Sequence, residues 1–280
     1  MDLSTFTSNL SGIKQVYTEQ ILSFSLLVKD LCRHSLFFSL FTLLGYLVIA
    51  GGLYVMLFRD RTTRAALRAT RSDIILSIWS SIIFGICAAI MTSAYDLGLT
   101  RLYLDPYQHG LGYVAFSLAL VIFLQDTYFY FTHRLAHHPK LYKWMHQGHH
   151  HSKNPTPLTG FAFDPAEALI QSIYLMVVVC VIPMHISVLC AVMLVMSLGA
   201  TVHHCSLRMF SSSPFGRWLG SWMVGPMHHW YHHRRFTQHY ALYFTFWDRL
   251  LGTQNDSYEN ELSPVSVNEA RLGFSKKLTS

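Results

Sequence analysis

Histidine is the residue type whose number and spacing stand out in this chain of 280 residues. The chain contains 17 histidines, more than its 15 aspartates and glutamates together. Eight of them fall into three blocks, one that reads His-x-x-x-His and two that read His-x-x-His-His. Residues three or four positions apart share a face of a helix. Each block is therefore predicted to present its imidazoles together, and the members are His133 and His137; His146, His149 and His150; and His229, His232 and His233.

Such a set of imidazoles predicts metal binding. Imidazole suits iron, copper, zinc and nickel. Eight imidazoles are too many for one ion, but two ions can use them and keep positions open for oxygen. A ninth ligand is expected from His203 or His204, which follow an apolar stretch. We expect His138, His151 and His228 to point away from the shared faces.

Other kinds of histidine site fit the sequence less well. A haem held by two histidines would need facing pairs rather than consecutive blocks, and the chain has no His-Glu-x-x-His motif of a zinc protease. A zinc hydrolase would need a carboxylate beside the metal, and no block contains one. The main alternative is a histidine-rich membrane protein that binds or transports zinc. A transporter needs ionisable residues inside its spans, and the first two apolar runs have none.

The elements that must position these histidines are predicted to be membrane helices. Hydrophobic residues make up 51% of the chain and charged residues only 13%, about half of the share of ~25% in a soluble domain. The basic residues flank apolar runs, which excludes a nucleic-acid-binding stripe. An amphipathic helix is predicted at 13–28. Runs long enough to span a bilayer are found at 35–58, 74–95 and 111–131, and Pro183 divides the run 168–202 into a hairpin.

The charges of the loops predict how the chain lies in the membrane. Residues 59–73 contain five arginines and two aspartates, whereas residues 96–110 contain one arginine and two aspartates. The excess of arginine places the first loop in the cytosol, and every histidine block then lies on that same side. We therefore predict an all-α, multi-pass membrane bundle of about four spans with a cytosolic, histidine-rich helical cap. Its expected regions are 1–110 with the first two spans, 111–253 with the histidine blocks, and a polar tail at 254–280.

The segment 125–253 resembles the fatty acid hydroxylase and sterol desaturase superfamily, and is most similar to its bacterial desaturase-like and alkylglycerol monooxygenase branch. The resemblance rests on Asp126-Thr-Tyr-Phe-Tyr-Phe-Thr-His133, the two His-x-x-His-His blocks, and Trp247-Asp248 followed by Gly252-Thr253. It implies a non-haem di-iron enzyme that hydroxylates or desaturates a lipid (sterol, fatty-acyl, sphingoid or ether-lipid) with oxygen. It also implies two iron ions, which zinc can replace, and an external electron donor such as cytochrome b5 or ferredoxin with a reductase. The expected location is the endoplasmic reticulum of a eukaryote or the inner membrane of a bacterium.

The resemblance also assigns roles to single residues. It favours His204 over His203 as the ninth metal ligand. Asp126 is expected in the catalytic site, where its carboxylate would accept an N–H from a ligand histidine; the alternative is a charge at a helix end. Asp164 and Glu167 are expected either to do the same or to cap the helix that follows. Trp247 and Asp248 are expected to anchor the end of the domain.

Overall fold

The computed structural model describes residues 3–58, 64–205 and 213–255. Ten α-helices and two short strands make up most of the described chain. The helices are α1 (Leu3–Tyr46), α2 (Gly52–Phe58), α3 (Arg64–Asp96), α4 (Leu111–Ala136), α5 (Tyr142–Met145), α6 (Pro165–Val181), α7 (Ile186–His203), α8 (Pro214–Trp222), α9 (Pro226–Arg235) and α10 (Phe246–Leu250), and the strands are β1 (Leu102–Tyr103) and β2 (Met184–His185). A π-helical turn, Leu47–Gly51, joins α1 to α2.

Four helical stretches are long and apolar enough to cross a bilayer: Phe24–Leu57, Thr70–Asp96, Leu111–Ala136 and Ile186–His203. Large apolar side chains along them face outward, as expected for contact with lipid, and Phe41 is 63% exposed. The predicted all-α membrane bundle of about four spans is confirmed. The predicted amphipathic helix at 13–28 is not a separate element, because α1 runs through it without a break.

The predicted hairpin around Pro183 is present as α6, β2 and α7. Strand β2 pairs in parallel with β1, so that Leu102 lies opposite Met184. This pairing holds the end of α6, the start of α7 and the loop before α4 at one end of the bundle. The opposite ends of α4, α6 and α7 carry His133, Glu167 and His203. We call this opposite end the histidine end.

Apolar packing fixes the helices that lead to the histidine end. Helices α4, α6 and α7 share a core that includes Val121, Val179 and Val192. Helices α1 and α3 pack closely, and a Cβ atom at Gly85 would overlap Ser39. Short elements cover the histidine end: α5, two 3-10 turns (His149–His151 and Pro157–Phe161) and α8–α10. Of the predicted tail, only residues 254 and 255 are described.

Candidate metal centre

The first histidine block lies at the C-terminal end of α4. His133 is buried in the last turn of this helix, and His137 is its C-cap residue. The helix therefore delivers both imidazoles at the histidine end of the bundle. The predicted pairing of His133 with His137 on one face is present, and their rings lie 5.1 Å apart.

The second block differs from the prediction, because it does not form one helix. His146 caps the short helix α5, and His149 and His150 lie in a separate 3-10 turn. Asp164 stabilises this break, since its Oδ2 atom accepts the backbone N–H of Gly148 at 2.7 Å and of His149 at 3.3 Å. A Cβ atom at Gly148 would overlap the Asp164 carboxylate, so only glycine fits there.

The third block lies on α9, which begins with Pro226 and ends at Phe236 in the left-handed conformation (φ 56°). Proline suits the first turn of a helix, because its missing N–H would have no partner there. The helix places His229 and His233, four residues apart, on one face. His232 points to a different side, as its place one residue before His233 requires.

The histidines form two clusters, and each of the last two blocks is divided between them. Within each cluster the potential ligand atoms all lie within 4.8 Å of one another. The members of site A are His133, His137, His146, His150 and His232, and those of site B are His149, His204, His229 and His233. The expectation that each block acts as a unit is therefore wrong for these two blocks, whereas both histidines of the first block lie in site A. In each divided block the first and last histidines lie in one site and the middle one lies in the other.

Histidines outside the blocks are placed in three ways. His204 lies in site B, whereas His203 is buried but belongs to neither cluster. His138 and His151 are exposed, as expected for rings that point away from the shared faces. His228, which was expected to be like them, is fully buried and forms a third cluster with His239 and Asp248. No motif in the sequence connects these three residues, which follow one another at intervals of 11 and 9 positions.

The hydrogen bonds of the rings show that both sites suit cations. His149 Nδ1 donates to the carbonyl of Ala162 and His204 Nδ1 to that of Ala200, because a carbonyl oxygen can only accept. Their Nε2 atoms then carry lone pairs, which face each other at 3.3 Å in site B. In site A, Nδ1 of His133 donates to the carbonyl of Tyr240, and Nδ1 of His232 donates to that of Gln238. The Nε2 atom of His232 therefore carries a lone pair, and it lies 3.0 Å from the Nε2 atoms of both His137 and His150. Facing lone pairs repel one another unless a cation lies between them.

Burial keeps these imidazoles neutral. Burial and then repulsion from neighbouring histidines lower the pKa of His137 to about 2. Burial likewise lowers the pKa of His149 to about 4. The same two causes hold the pKa of His146 and His150 well below the usual value. At neutral pH the rings are therefore uncharged, which is the form that binds metals.

Acidic residues support the site in ways that the sequence predicted only in part. Glu167 Oε2 lies 2.7 Å from His146 Nδ1, and both side chains are buried. This contact was expected of Asp126, and it is also one of the two roles expected of Glu167. Asp126 is also buried, but its Oδ1 atom accepts the backbone N–H groups of Tyr243 at 2.7 Å and Phe244 at 3.2 Å. Among the described residues it makes no hydrogen bond to a histidine, so its expected contact with a ligand is corrected to one with a backbone segment.

The sequence was compared with known proteins. The profile of the family described as fatty acid hydroxylase matches residues 118–253. A Delta(7)-sterol 5(6)-desaturase of Gibberella zeae is 31% identical over 225 residues, which cover 79% of this chain and 67% of that protein. The chain belongs to the fatty acid hydroxylase and sterol desaturase superfamily. No solved structure matches it significantly.

Further relatives from this superfamily catalyse related reactions. Lathosterol oxidase of Homo sapiens is 30% identical over 165 residues, 58% of this chain and 53% of that protein. Methylsterol monooxygenase 1 of Rattus norvegicus is 32% identical over 135 residues, 46% of this chain and 43% of that protein. This chain thus spans about half or less of these two relatives. Their names denote oxygen-dependent oxidoreductases, which confirms the predicted class of enzyme. The similarity to the alkylglycerol monooxygenase branch stays a prediction.

Proposed function

We propose that this protein is a membrane-bound, non-haem di-iron oxygenase that hydroxylates or desaturates a lipid of the sterol class. The observation that carries the proposal is the pair of buried clusters in which neutral imidazoles face one another through their lone pairs. Nine histidines would hold the two ions: His133, His137, His146, His150 and His232 in site A, and His149, His204, His229 and His233 in site B. Two irons supply the oxidising power, from oxygen and two electrons, that an unactivated C–H bond requires.

The residues of the chain position the ions and exclude water. Carbonyl groups and Glu167 fix the direction of five site A and site B rings in a region almost closed to solvent. A shallow, open cavity of about 380 Å³ lies beside His137 of site A, and Arg134 and His138 are also part of its lining. Its walls include the exposed apolar side chains Phe131 and Leu135 at the end of α4. We place the approach of the apolar substrate in this cavity.

The charge of the surface around the histidines supports an acidic electron donor. Between residues 127 and 255, the three acidic side chains are buried or half-buried. Every exposed Lys, Arg, Asp or Glu side chain that the structure describes in this interval is a cation, and these are Arg134, Lys140, Lys143, Lys153, Arg234, Arg235 and Arg249. Opposite charges speed the encounter of two proteins. We propose that a small acidic carrier, of the cytochrome b5 or ferredoxin kind, delivers the electrons.

The first experiment measures metal content and turnover together. We expect protein purified in detergent without oxygen to hold about two iron ions per chain. We also expect it to convert a Δ7-sterol, with oxygen and a reducing system, to a product that has gained an oxygen atom or lost two hydrogens. The His229→Ala variant should lose about one ion and most of the turnover, whereas His151→Ala, which alters an exposed ring away from the cavity, should keep both ions and the turnover.

Two results would contradict the proposal. Protein that binds no metal from either iron or zinc would exclude both sites. The protein could also bind zinc, consume no oxygen after reconstitution with iron, and modify neither sterols nor fatty-acyl lipids. That result would favour the alternative of a zinc-binding or zinc-transporting membrane protein.

A further inference from the structure

A single buried carboxylate organises the chain segment that follows α9. The Asp248 carboxylate accepts the backbone N–H of Tyr240 on Oδ1 at 2.9 Å and that of Ala241 on Oδ2 at 3.1 Å. Oδ1 also accepts the Thr253 hydroxyl at 2.7 Å. Thr253 in turn accepts a hydrogen bond from the hydroxyl of Tyr130 on α4 at 2.8 Å. Asp248 therefore ties the segment 238–241 to the end of the domain and, through Thr253, to the helix that carries the first histidine block.

The same segment fixes two rings of site A. The carbonyl of Gln238 accepts Nδ1–H of His232 at 2.7 Å, and the carbonyl of Tyr240 accepts Nδ1–H of His133 at 2.9 Å. Between them lies His239, which has a left-handed backbone (φ 61°) and whose N–H donates to the Thr253 carbonyl at 2.9 Å. A non-glycine residue holds such a conformation only where its surroundings enforce it. The two carbonyls point at site A because this segment is held in place.

Site B takes its support from other parts of the chain. His149 donates to Ala162, in the loop before α6, and His204 donates to Ala200, on its own helix α7. Neither acceptor belongs to the segment that Asp248 holds. The two sites therefore depend on different supports, although they share the same three blocks of sequence.

The cluster of His228, His239 and Asp248 contains hydrogen bonds of its own, and its atoms also lie close enough together to hold an ion. His239 Nε2 faces the backbone N–H of Asn255 at 3.3 Å and so carries a lone pair. Its proton then lies on Nδ1, which donates to His228 Nε2 at 2.8 Å. His228 Nε2 also lies 3.4 Å from Asp248 Oδ2, so with this proton assignment its lone pair faces a carboxylate oxygen, and a hydrogen bond from His228 does not explain this contact of Asp248 with α9.

We propose that Asp248 is a positioning residue that acts on site A alone, through the carbonyls of Gln238 and Tyr240. This inference rests on the proposed function, because it requires that both sites hold metal. Loss of a hydrogen-bond partner behind a ligand typically weakens metal binding by about 10–100-fold. The effect of Asp248 should therefore fall on one of the two ions and spare the other.

The test is the number of iron ions that resist a chelator. Asp248→Asn keeps the size of the side chain, but its amide group faces backbone N–H groups that need an acceptor. We expect about two retained ions per chain in the unmodified protein and about one in this variant. Asp126→Asn is the matched control, because this second buried carboxylate also accepts two backbone N–H groups, but from Tyr243 and Phe244. It should retain both ions.

A milder pair of variants separates this effect from a general loss of folding. Thr253→Val keeps the shape of the side chain and removes the hydroxyl, whereas Thr253→Ser keeps the hydroxyl. We expect Thr253→Val to release one ion faster than the unmodified protein and Thr253→Ser to behave normally, with equal helical content by circular dichroism.

Combined variants identify the site that loses its ion. In protein whose site B is damaged by His229→Ala, adding Asp248→Asn should remove the remaining ion. In protein whose site A is damaged by His137→Ala, the same addition should leave one ion in place.

The inference would be overturned if the Asp248→Asn variant retained two ions, or if the Asp126→Asn variant lost as much iron as Asp248→Asn does. Three ions in the unmodified protein, of which Asp248→Asn loses one, would overturn it in favour of a third metal site. Protein that never binds metal would instead contradict the proposed function.

Discussion

His204 and Glu167 differ in how much of their role is visible in the sequence. His204 was preferred over His203 from its distance to the last block, and the structure brings only His204 into a cluster. Glu167 lies 21 positions after His146, and nothing in the local pattern connects the two. A role that depends on spacing within a helix or on a known motif can be predicted. A contact between distant segments depends on packing, which the local sequence does not reveal.

The pair His203 and His204 gives a test at the level of single residues. We expect His204→Ala to lower the metal content by about one ion per chain and to abolish most turnover, because its ring faces those of His149, His229 and His233 at 2.9–3.3 Å. We expect His203→Ala to keep two ions and most of the turnover. Metal analysis and product formation measure both effects. The reverse result would mean that the neighbouring histidine is the ligand.

At the scale of elements, Asp73 connects span α3 to the loop that carries the second histidine block. Its carboxylate is buried and accepts the hydroxyl groups of Ser152 and Thr159, each at 2.7 Å. Thr159 Oγ1 also accepts the backbone N–H of Thr156 at 3.0 Å, at the start of the 3-10 turn Pro157–Phe161. The sequence predicted a helix in this block from its histidine spacing. The actual short turns follow from these side-chain contacts with α3 and from Asp164, which the spacing could not indicate.

The contacts of Asp73 predict a local loss of stability. Ser152→Ala leaves one oxygen of a buried carboxylate without its donor, which costs about 1–3 kcal/mol. We expect a lower thermal unfolding midpoint in detergent and faster loss of iron. Ser197→Ala is the control, because that hydroxyl is exposed and bonds only to Met193 on the same helix. Equal midpoints for the two variants would show that Asp73 does not stabilise the loop.

At the scale of the whole molecule, the sequence predicted the bundle well, because apolar runs of sufficient length have few other structures available to them. The hairpin at Pro183 and the gathering of all histidine blocks at one end followed from the order of the runs. The bundle itself does not reveal which end faces the cytosol. That assignment rests on the five arginines of residues 59–73.

Labelling of single cysteines tests the orientation. We place cysteines at the two ends of the bundle, with Lys153→Cys at the histidine end and Asp105→Cys in the loop beside β1. Both positions are exposed, and the five native cysteines are replaced beforehand. In sealed vesicles whose cytosolic face is outward, an impermeant thiol reagent should reach Lys153→Cys and not Asp105→Cys. The opposite pattern would invert the predicted orientation, and labelling of both would contradict a bundle with the two positions on opposite sides.

The division of each histidine block between two clusters has a consequence for how the protein is made. Site A needs residues from His133 to His232, and site B needs residues from His149 to His233. Neither cluster gains its last ligands until α9 has left the ribosome, and a chain that stops before this helix has incomplete sets at both positions. If the two sites hold metal as proposed, their complete ligand sets would form only after the four described spans and α9 have been made.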